Sequence, residues 1–169
     1  ATEVEGIVEA ADSIDGPVYC RVLRGSVPRL FDSPLKVGEM RVLAEGADVL
    51  VITAGITTEE AIRARGALDK AGVSVRHLHL NTLKPFDAEA IVAHAASVKH
   101  GVVTLENHLV AGGIGSMTAE ALADAGLGKK LIRLGLQDTY AHGGSRPYLM
   151  NFYGLDAIAL VRVIERLMV

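Results

Sequence analysis

Residues 102–116 constrain this chain more than any other stretch. They read Val-Val-Thr-Leu-Glu-Asn-His-Leu-Val-Ala-Gly-Gly-Ile-Gly-Ser. An apolar, β-rich run ends in an acid, an amide and an imidazole, and three glycines follow within four positions. Ile114, Met117, Ala121, Leu122 and Ala125 then recur at helical spacing. The pattern predicts strand, turn, helix. In open α/β sheets, polar groups and ligands meet where a strand's carboxyl end faces a helix N-terminus. Glu106, His108, Gly113 and Gly115 are therefore candidates for an anion site or an interface.

The rest of the chain repeats that unit. Arg41–Glu45 reads as a short strand and Asp48–Thr53 as an apolar strand covered on both faces. The two-residue link Gly46-Ala47 favours an antiparallel hairpin between them. Thr57 and Glu60 have capping-box spacing for a helix that Gly72 stops. Residues 73–80 form the next strand. Phe86, Asp87 and Ile91 make a hydrophobic staple around an Asp N-cap, and Leu155, Asp156 and Leu160 repeat it before the closing helix. Strands beginning near residues 48, 73, 101 and 130 give a βαβ rhythm. The expected fold is α/β: a doubly wound, mostly parallel five-stranded sheet with one antiparallel edge strand.

The first 39 residues do not fit that period. Residues 3–13 suit an amphipathic helix with Val4, Ile7, Val8 and Ala11 on one face, and residues 18–23 suit a strand. One helix and one strand cannot bury their own faces, so this unit must lean on the domain C-terminal to it or on chain outside the sequence. Residues 25–39, with Gly25, Pro28, Pro34 and Gly38, read as a linker. The chain opens at Ala1 without a methionine, as a processed or excised piece of a longer protein would.

Composition narrows the function classes. The 169 residues carry a net charge of −3 and are 50% hydrophobic and 22% charged, as expected of one globular domain. That charge argues against general affinity for nucleic acid or membrane. With no Trp and 4% aromatics, single-strand stacking platforms are not expected. No apolar run approaches the roughly 20 residues needed to span a bilayer. A lone cysteine, Cys20, and no visible secretory signal point to the cytoplasm.

Candidate chemistry is sparse. Thr53-Ala54-Gly55, Asn81-Thr82, Glu106-Asn107-His108 and Gln137-Asp138 fall at strand carboxyl ends, where they suit one crevice or ordinary caps and turns. A dinucleotide fingerprint would run Gly113, Gly115, Thr118, but Thr118 is too large for its third position and no acid follows at the expected distance. His77 and His79 share a strand face and would need a third ligand to hold a metal. Ser116 and Ser145 lack a nucleophile-elbow context. The loop from Ala141 to Pro147 reads as a polar lid or contact surface, or as an ordinary exposed loop.

Taken together, several stretches resemble the C-terminal domain of transketolases: Asp48–Gly55, Asn81–Asp87, Glu106–Gly115 and Tyr153–Asp156. Deoxyxylulose-phosphate synthases and 2-oxo-acid dehydrogenase beta subunits share the outline. The resemblance implies that residues 1–24 are the tail of the preceding pyrimidine-binding domain, 25–39 a linker and 40–169 the C-terminal domain. It also implies that Arg24, with Arg21 competing, binds the phosphate of a sugar substrate. No catalytic, cofactor-binding or metal residue is expected in this chain. Thiamine diphosphate and Mg²⁺ would sit in the remainder of the enzyme, a homodimer that moves two-carbon ketol units between sugar phosphates, with this domain serving architecture and assembly. The alternatives are the corresponding domain of a deoxyxylulose-phosphate synthase or dehydrogenase beta subunit, and a free-standing flavodoxin-like module that binds a small anion at residues 112–115.

Overall fold

The computed structural model of the protein describes residues 2–169. Two short helices, α1 (Thr2–Glu5) and α2 (Ile7–Asp12), open the chain in place of the single helix expected over 3–13. Gly6 separates them, and Val8 on the expected apolar face is 77% exposed. Residues 13–40 contain no helix or strand. The strand expected over 18–23 does not form. A lone strand has nothing to pair its N–H and C=O groups with, and Val18, Tyr19, Val22 and Leu23 lie exposed.

From Arg41 onward the period predicted from sequence is present. The elements are β1 (Arg41–Ala44), β2 (Val49–Ala54), α3 (Thr57–Lys70), β3 (Val75–Leu80), α4 (Ala88–Ala96), β4 (Gly101–Leu109), α5 (Ile114–Asp124), β5 (Leu131–Leu136), α6 (Arg146–Phe152) and α7 (Ala157–Met168). They build one five-stranded sheet in the order β1-β3-β2-β4-β5. β3, β2, β4 and β5 run parallel, and β1 is antiparallel to β3 at the edge. The antiparallel edge strand is as expected, but its neighbour is not. β1 and β2 form no hairpin, because the link between them crosses the start of β3. Gly46 makes the crossing, and a Cβ there would lie 2.2 Å from the carbonyl carbon of Val75.

Alternation along the strands divides the core in two. Val49, Val51, Val103 and Leu105 face α3 and α7, packing on Ala61, Ala64, Leu68, Leu160 and Ile164. Leu50, Ile52, Leu78 and Val102 face α4 and α5, packing on Ile91, Ala95, Ile114 and Leu122. β2 is buried from both sides, which is why its sequence is continuously apolar.

The Asp N-caps are present: Asp87 accepts from the Ala90 N–H at 3.0 Å and Asp156 from the Ala159 N–H at 2.9 Å. The capping box at Thr57 is not. The Thr57 hydroxyl lies between the carbonyls of Ala54 (2.8 Å) and Leu105 (2.7 Å), joining β2 to β4. Glu60 instead accepts from the Ala157 N–H at the start of α7 and from Arg63. Among the described residues, no helix is long and apolar enough to cross a membrane.

Candidate functional site

The crossovers from β2 and β4 leave in opposite directions, so the topological switch point lies between these strands. Their carboxyl ends bring Gly55 and Asn107 together: a Cβ on Gly55 would lie 3.9 Å from Asn107 Oδ1. The other strand-end groups are drawn elsewhere. Asn81 and Thr82 are covered by the N-terminal segment, through Asn81 Nδ2 to Glu3 (3.4 Å) and the Gly38 N–H to Thr82 Oγ1 (2.9 Å). Gln137 and Asp138 are exposed beyond β5, at the far edge of the sheet.

Glu106 turns inward. Between Leu105 and Leu109 the β4 register slips, so that residues 106–108 stand opposite a single β5 residue, Gly135. A Cβ on Gly135 would meet the His108 carbonyl at 3.0 Å, so the absent side chain admits the bulge. The Glu106 carboxylate thereby reaches the N-terminus of α5 and accepts from the N–H groups of Ile114 and Gly115, both at 2.9 Å. It is 4% exposed. The cap residue of α5, Gly113, has no side chain to do this, and a Cβ there would lie 1.9 Å from Glu106 Oε2. The position that an external anion would take on this helix is thus filled by the protein's own carboxylate. His108 lies apart from it, half-buried, donating from Nδ1 to the Leu109 carbonyl at 2.9 Å.

A buried polar network runs under α3. Thr53 Oγ1 is 2.9 Å from both Thr58 Oγ1 and His77 Nε2, and Thr58 Oγ1 is 2.7 Å from His79 Nδ1. His79 Nε2 is 3.0 Å from Glu3, which also pairs with Arg41 at 3.3 Å. Phe31 stacks against the His79 ring at 4.9 Å, and the Arg41 guanidinium lies 4.8 Å from the Phe31 centroid. The network fastens the first helix and the linker onto the sheet. Burial raises the Glu3 pKa, but hydrogen bonds and the charge of His79, with Asn81 and Arg41, outweigh it and hold the group below its ordinary value.

His77 is held neutral, its pKa lowered to about 3 by burial first and then by the charges of Arg65 and His79. In the unfolded chain it takes up a proton near pH 6.5. This contribution to stability is complete above about pH 6.5 and declines by about 1.4 kcal/mol per unit as the pH falls toward the folded value. Urea titrations at pH 7 and 5 are expected to differ by about 2 kcal/mol more in the wild type than in His77→Gln. The variant comparison removes the parallel contribution of His94, whose pKa is also lowered by burial and by Arg76. Equal differences in both chains would show that His77 is protonated in the fold.

The sequence and the fold match one family. The profile described as "Transketolase, C-terminal domain" matches residues 38–160. The chain belongs to the transketolase family. A Methanocaldococcus jannaschii protein named as a transketolase C-terminal section is 32% identical, over 96% of this chain and 52% of its own length. The 1-deoxy-D-xylulose-5-phosphate synthase of Chlorobium phaeovibrioides is 37% identical, over 90% of this chain and 24% of its own. A solved structure titled "Split gene transketolase, inactive beta4 tetramer" superposes with a TM-score of 0.86 at 34% identity, covering 96% of this chain and 53% of that one. The chain spans about half the length of the first curated relatives it matches.

The transketolase resemblance implies a magnesium-binding Gly-Asp-Gly motif for thiamine diphosphate, and these 169 residues contain no Gly-Asp-Gly. Among the described residues, no three His, Cys, Asp or Glu side chains gather to hold a metal. His77 and His79 do share a buried face, but their partners there are threonines and Glu3. Arg21 and Arg24 are exposed in the segment before β1 and form no ion pair among the described residues. Ser116 is occupied as a turn former, accepting from the Gly112 N–H and donating to the Val110 carbonyl, both at 3.0 Å. Sequence reasoning missed the threonine–histidine network. Its signal was there: Thr53, His77 and His79 sit on one strand face whose other residues, Val49, Val51 and Val75, are apolar.

Proposed function

We propose that this chain is the C-terminal section of a thiamine-diphosphate-dependent transketolase, supplying architecture and assembly while the rest of the enzyme holds the cofactor. The supporting observation is that it matches, at about half their length, relatives that include one named as a transketolase C-terminal section and a split-gene transketolase. The full enzyme, a cytoplasmic homodimer, transfers two-carbon ketol units between sugar phosphates. The polar groups at the strand ends of this section are spent on its own fold: Glu106 on α5, Thr57 on two strand carbonyls, His79 on Glu3. Calorimetry with thiamine diphosphate and Mg²⁺ is expected to detect no binding to the chain alone and binding once the missing half is supplied. Micromolar binding to the chain alone would overturn the assignment.

A deoxyxylulose-phosphate synthase is the second reading, favoured by the identity to the Chlorobium enzyme. The reconstituted enzyme separates the two: that reaction consumes a 2-oxo acid and releases carbon dioxide, whereas ketol transfer does not.

Arg24 is the proposed phosphate ligand of the full enzyme. It is exposed here and free of ion pairs among the described residues. Arg24→Ala is expected to lower the specificity constant for phosphorylated acceptors by about tenfold to a hundredfold, the equivalent of one charged hydrogen bond. Unphosphorylated acceptors should be nearly unaffected. An equal loss on both would make Arg24 structural, and the same pair of assays on Arg21→Ala decides between the two arginines.

A further inference from the structure

β5 closes the sheet on the side away from the N-terminal segment, and among the described residues no strand pairs with its outer edge. The carbonyls of Lys130 and Leu136 accept from Val102 and Val110 of the β4 side at 2.8 and 2.9 Å. Alternation therefore turns the N–H and C=O groups of Leu131, Arg133 and Gly135 outward. Beside this edge lies a groove of about 490 Å³ between β5 and α7. Leu134, Tyr153 and Val163 line it half-buried, and Arg162 and Arg166, one turn apart on α7, line it exposed. Arg133, on the opposite face of β5, also borders it, its guanidinium 3.5 Å from Ser116 Oγ. Among the described residues, none of these three arginines has a carboxylate within ion-pair distance, although Arg29, Arg41, Arg63, Arg76 and Arg146 all do.

We propose that this edge and groove dock an extended, carboxylate-rich segment of a partner protein, which adds alongside β5 as a further strand. Side chains of an added strand alternate between faces. Carboxylates on one face would meet Arg162 and Arg166, and those on the other would meet Arg133. Apolar residues between them would cover Leu134 and Val163. The three outward peptide units of β5 span about 13 Å, enough for a segment of about five residues. Charge disfavours a second copy of this chain in the register centred on the outward-facing residues, because two β5 strands paired about Arg133 would set arginine against arginine. A free edge with an apolar flank is otherwise a liability in a soluble protein, and strand addition is a common way in which such edges recognise peptides.

The test uses the peptide acetyl-Glu-Glu-Val-Glu-Glu-Glu-Val-amide, whose odd positions mix carboxylates with valines on one face and whose even positions put carboxylates on the other, and the same peptide with lysine in place of glutamate. Hydrogen exchange at Leu131, Arg133 and Gly135 is expected to slow with the acidic peptide and not with the basic one. The double variant Arg162→Gln, Arg166→Gln should weaken binding by about tenfold or more while its melting temperature falls by no more than a few degrees, since both side chains are exposed and only the favourable charge at the end of α7 is lost. No slowing with the acidic peptide, or equal slowing with both, overturns the proposal. Inorganic pyrophosphate bound at the same arginines without protection of β5 would make the groove a small-anion site and overturn it too. So would concentration-dependent protection of β5 in the absence of peptide, which would assign the edge to a second copy.

Discussion

Gly46→Ala is expected to leave the chain largely insoluble or, if soluble, destabilised by at least about 4 kcal/mol. A Cβ at this position would lie 2.2 Å from the Val75 carbonyl carbon, 2.5 Å from the Arg76 nitrogen and 2.6 Å from the Val75 carbonyl oxygen. All three are backbone atoms of β3, so no rotamer change relieves the clash. Either the link between β1 and β2 lifts off or β3 shifts in its ladder with β2. Lifting the link breaks the Arg76–Gly46 hydrogen bond (3.1 Å) and displaces β1 from the sheet edge. Such a loss consumes much of the 5–15 kcal/mol that holds a typical domain. Gly66→Ala is the matched control. Gly66 lies in α3 with nothing within 4 Å of an added Cβ, so alanine is expected to stabilise the chain by about 0.5–1 kcal/mol. Urea titration of the two variants measures both effects, and a Gly46→Ala chain as stable as the wild type would refute the crossing geometry.

Gly46 also shows where sequence reading stops. The strand–helix period is local information: β2 is apolar throughout because it is buried on both faces, and Asp87 and Asp156 cap helices within three residues of themselves. These features were legible. Strand neighbours are not local. A two-residue link between β1 and β2 looks like a hairpin until β3, nearly thirty residues further on, is known to lie between them. The same limit explains Thr57, whose spacing to Glu60 matched a capping box but whose hydroxyl reaches Leu105, 48 residues away. The segment over 18–23 has the composition of a strand, yet composition cannot supply the neighbouring strand it needs. At the candidate site, Glu106 and His108 read alike in sequence because both stand at a strand end. The bulge opposite Gly135 separates them, and a bulge leaves only a glycine as its trace.

Glu106→Ala is expected to cost about 3 kcal/mol or more, second only to Gly46→Ala. Each N–H to carboxylate bond is a charged hydrogen bond worth about 1.5–3 kcal/mol, and both donors at the start of α5 would be left buried and unpaired. Gly113→Ala should cost a similar amount for the complementary reason: its Cβ would lie 1.9 Å from Glu106 Oε2, so the carboxylate must leave the helix. The two changes act on one contact and should not add. In the Glu106→Ala chain the space of the carboxylate is vacant, and Gly113→Ala should then cost less than about 1 kcal/mol, a coupling of roughly 2 kcal/mol in a double-mutant cycle. His108→Ala, which loses one bond to a neighbouring carbonyl in a partly exposed position, is expected to change stability by no more than about 1 kcal/mol. Thermal melts of the four chains measure the cycle. Sedimentation of the reconstituted enzyme supplies the second axis, since a Glu106 that works at a subunit interface would weaken assembly while leaving the melt of this chain unchanged. The bidentate contact to Ile114 and Gly115 predicts the reverse: a large loss in the melt, with assembly impaired only as far as α5 itself is loosened.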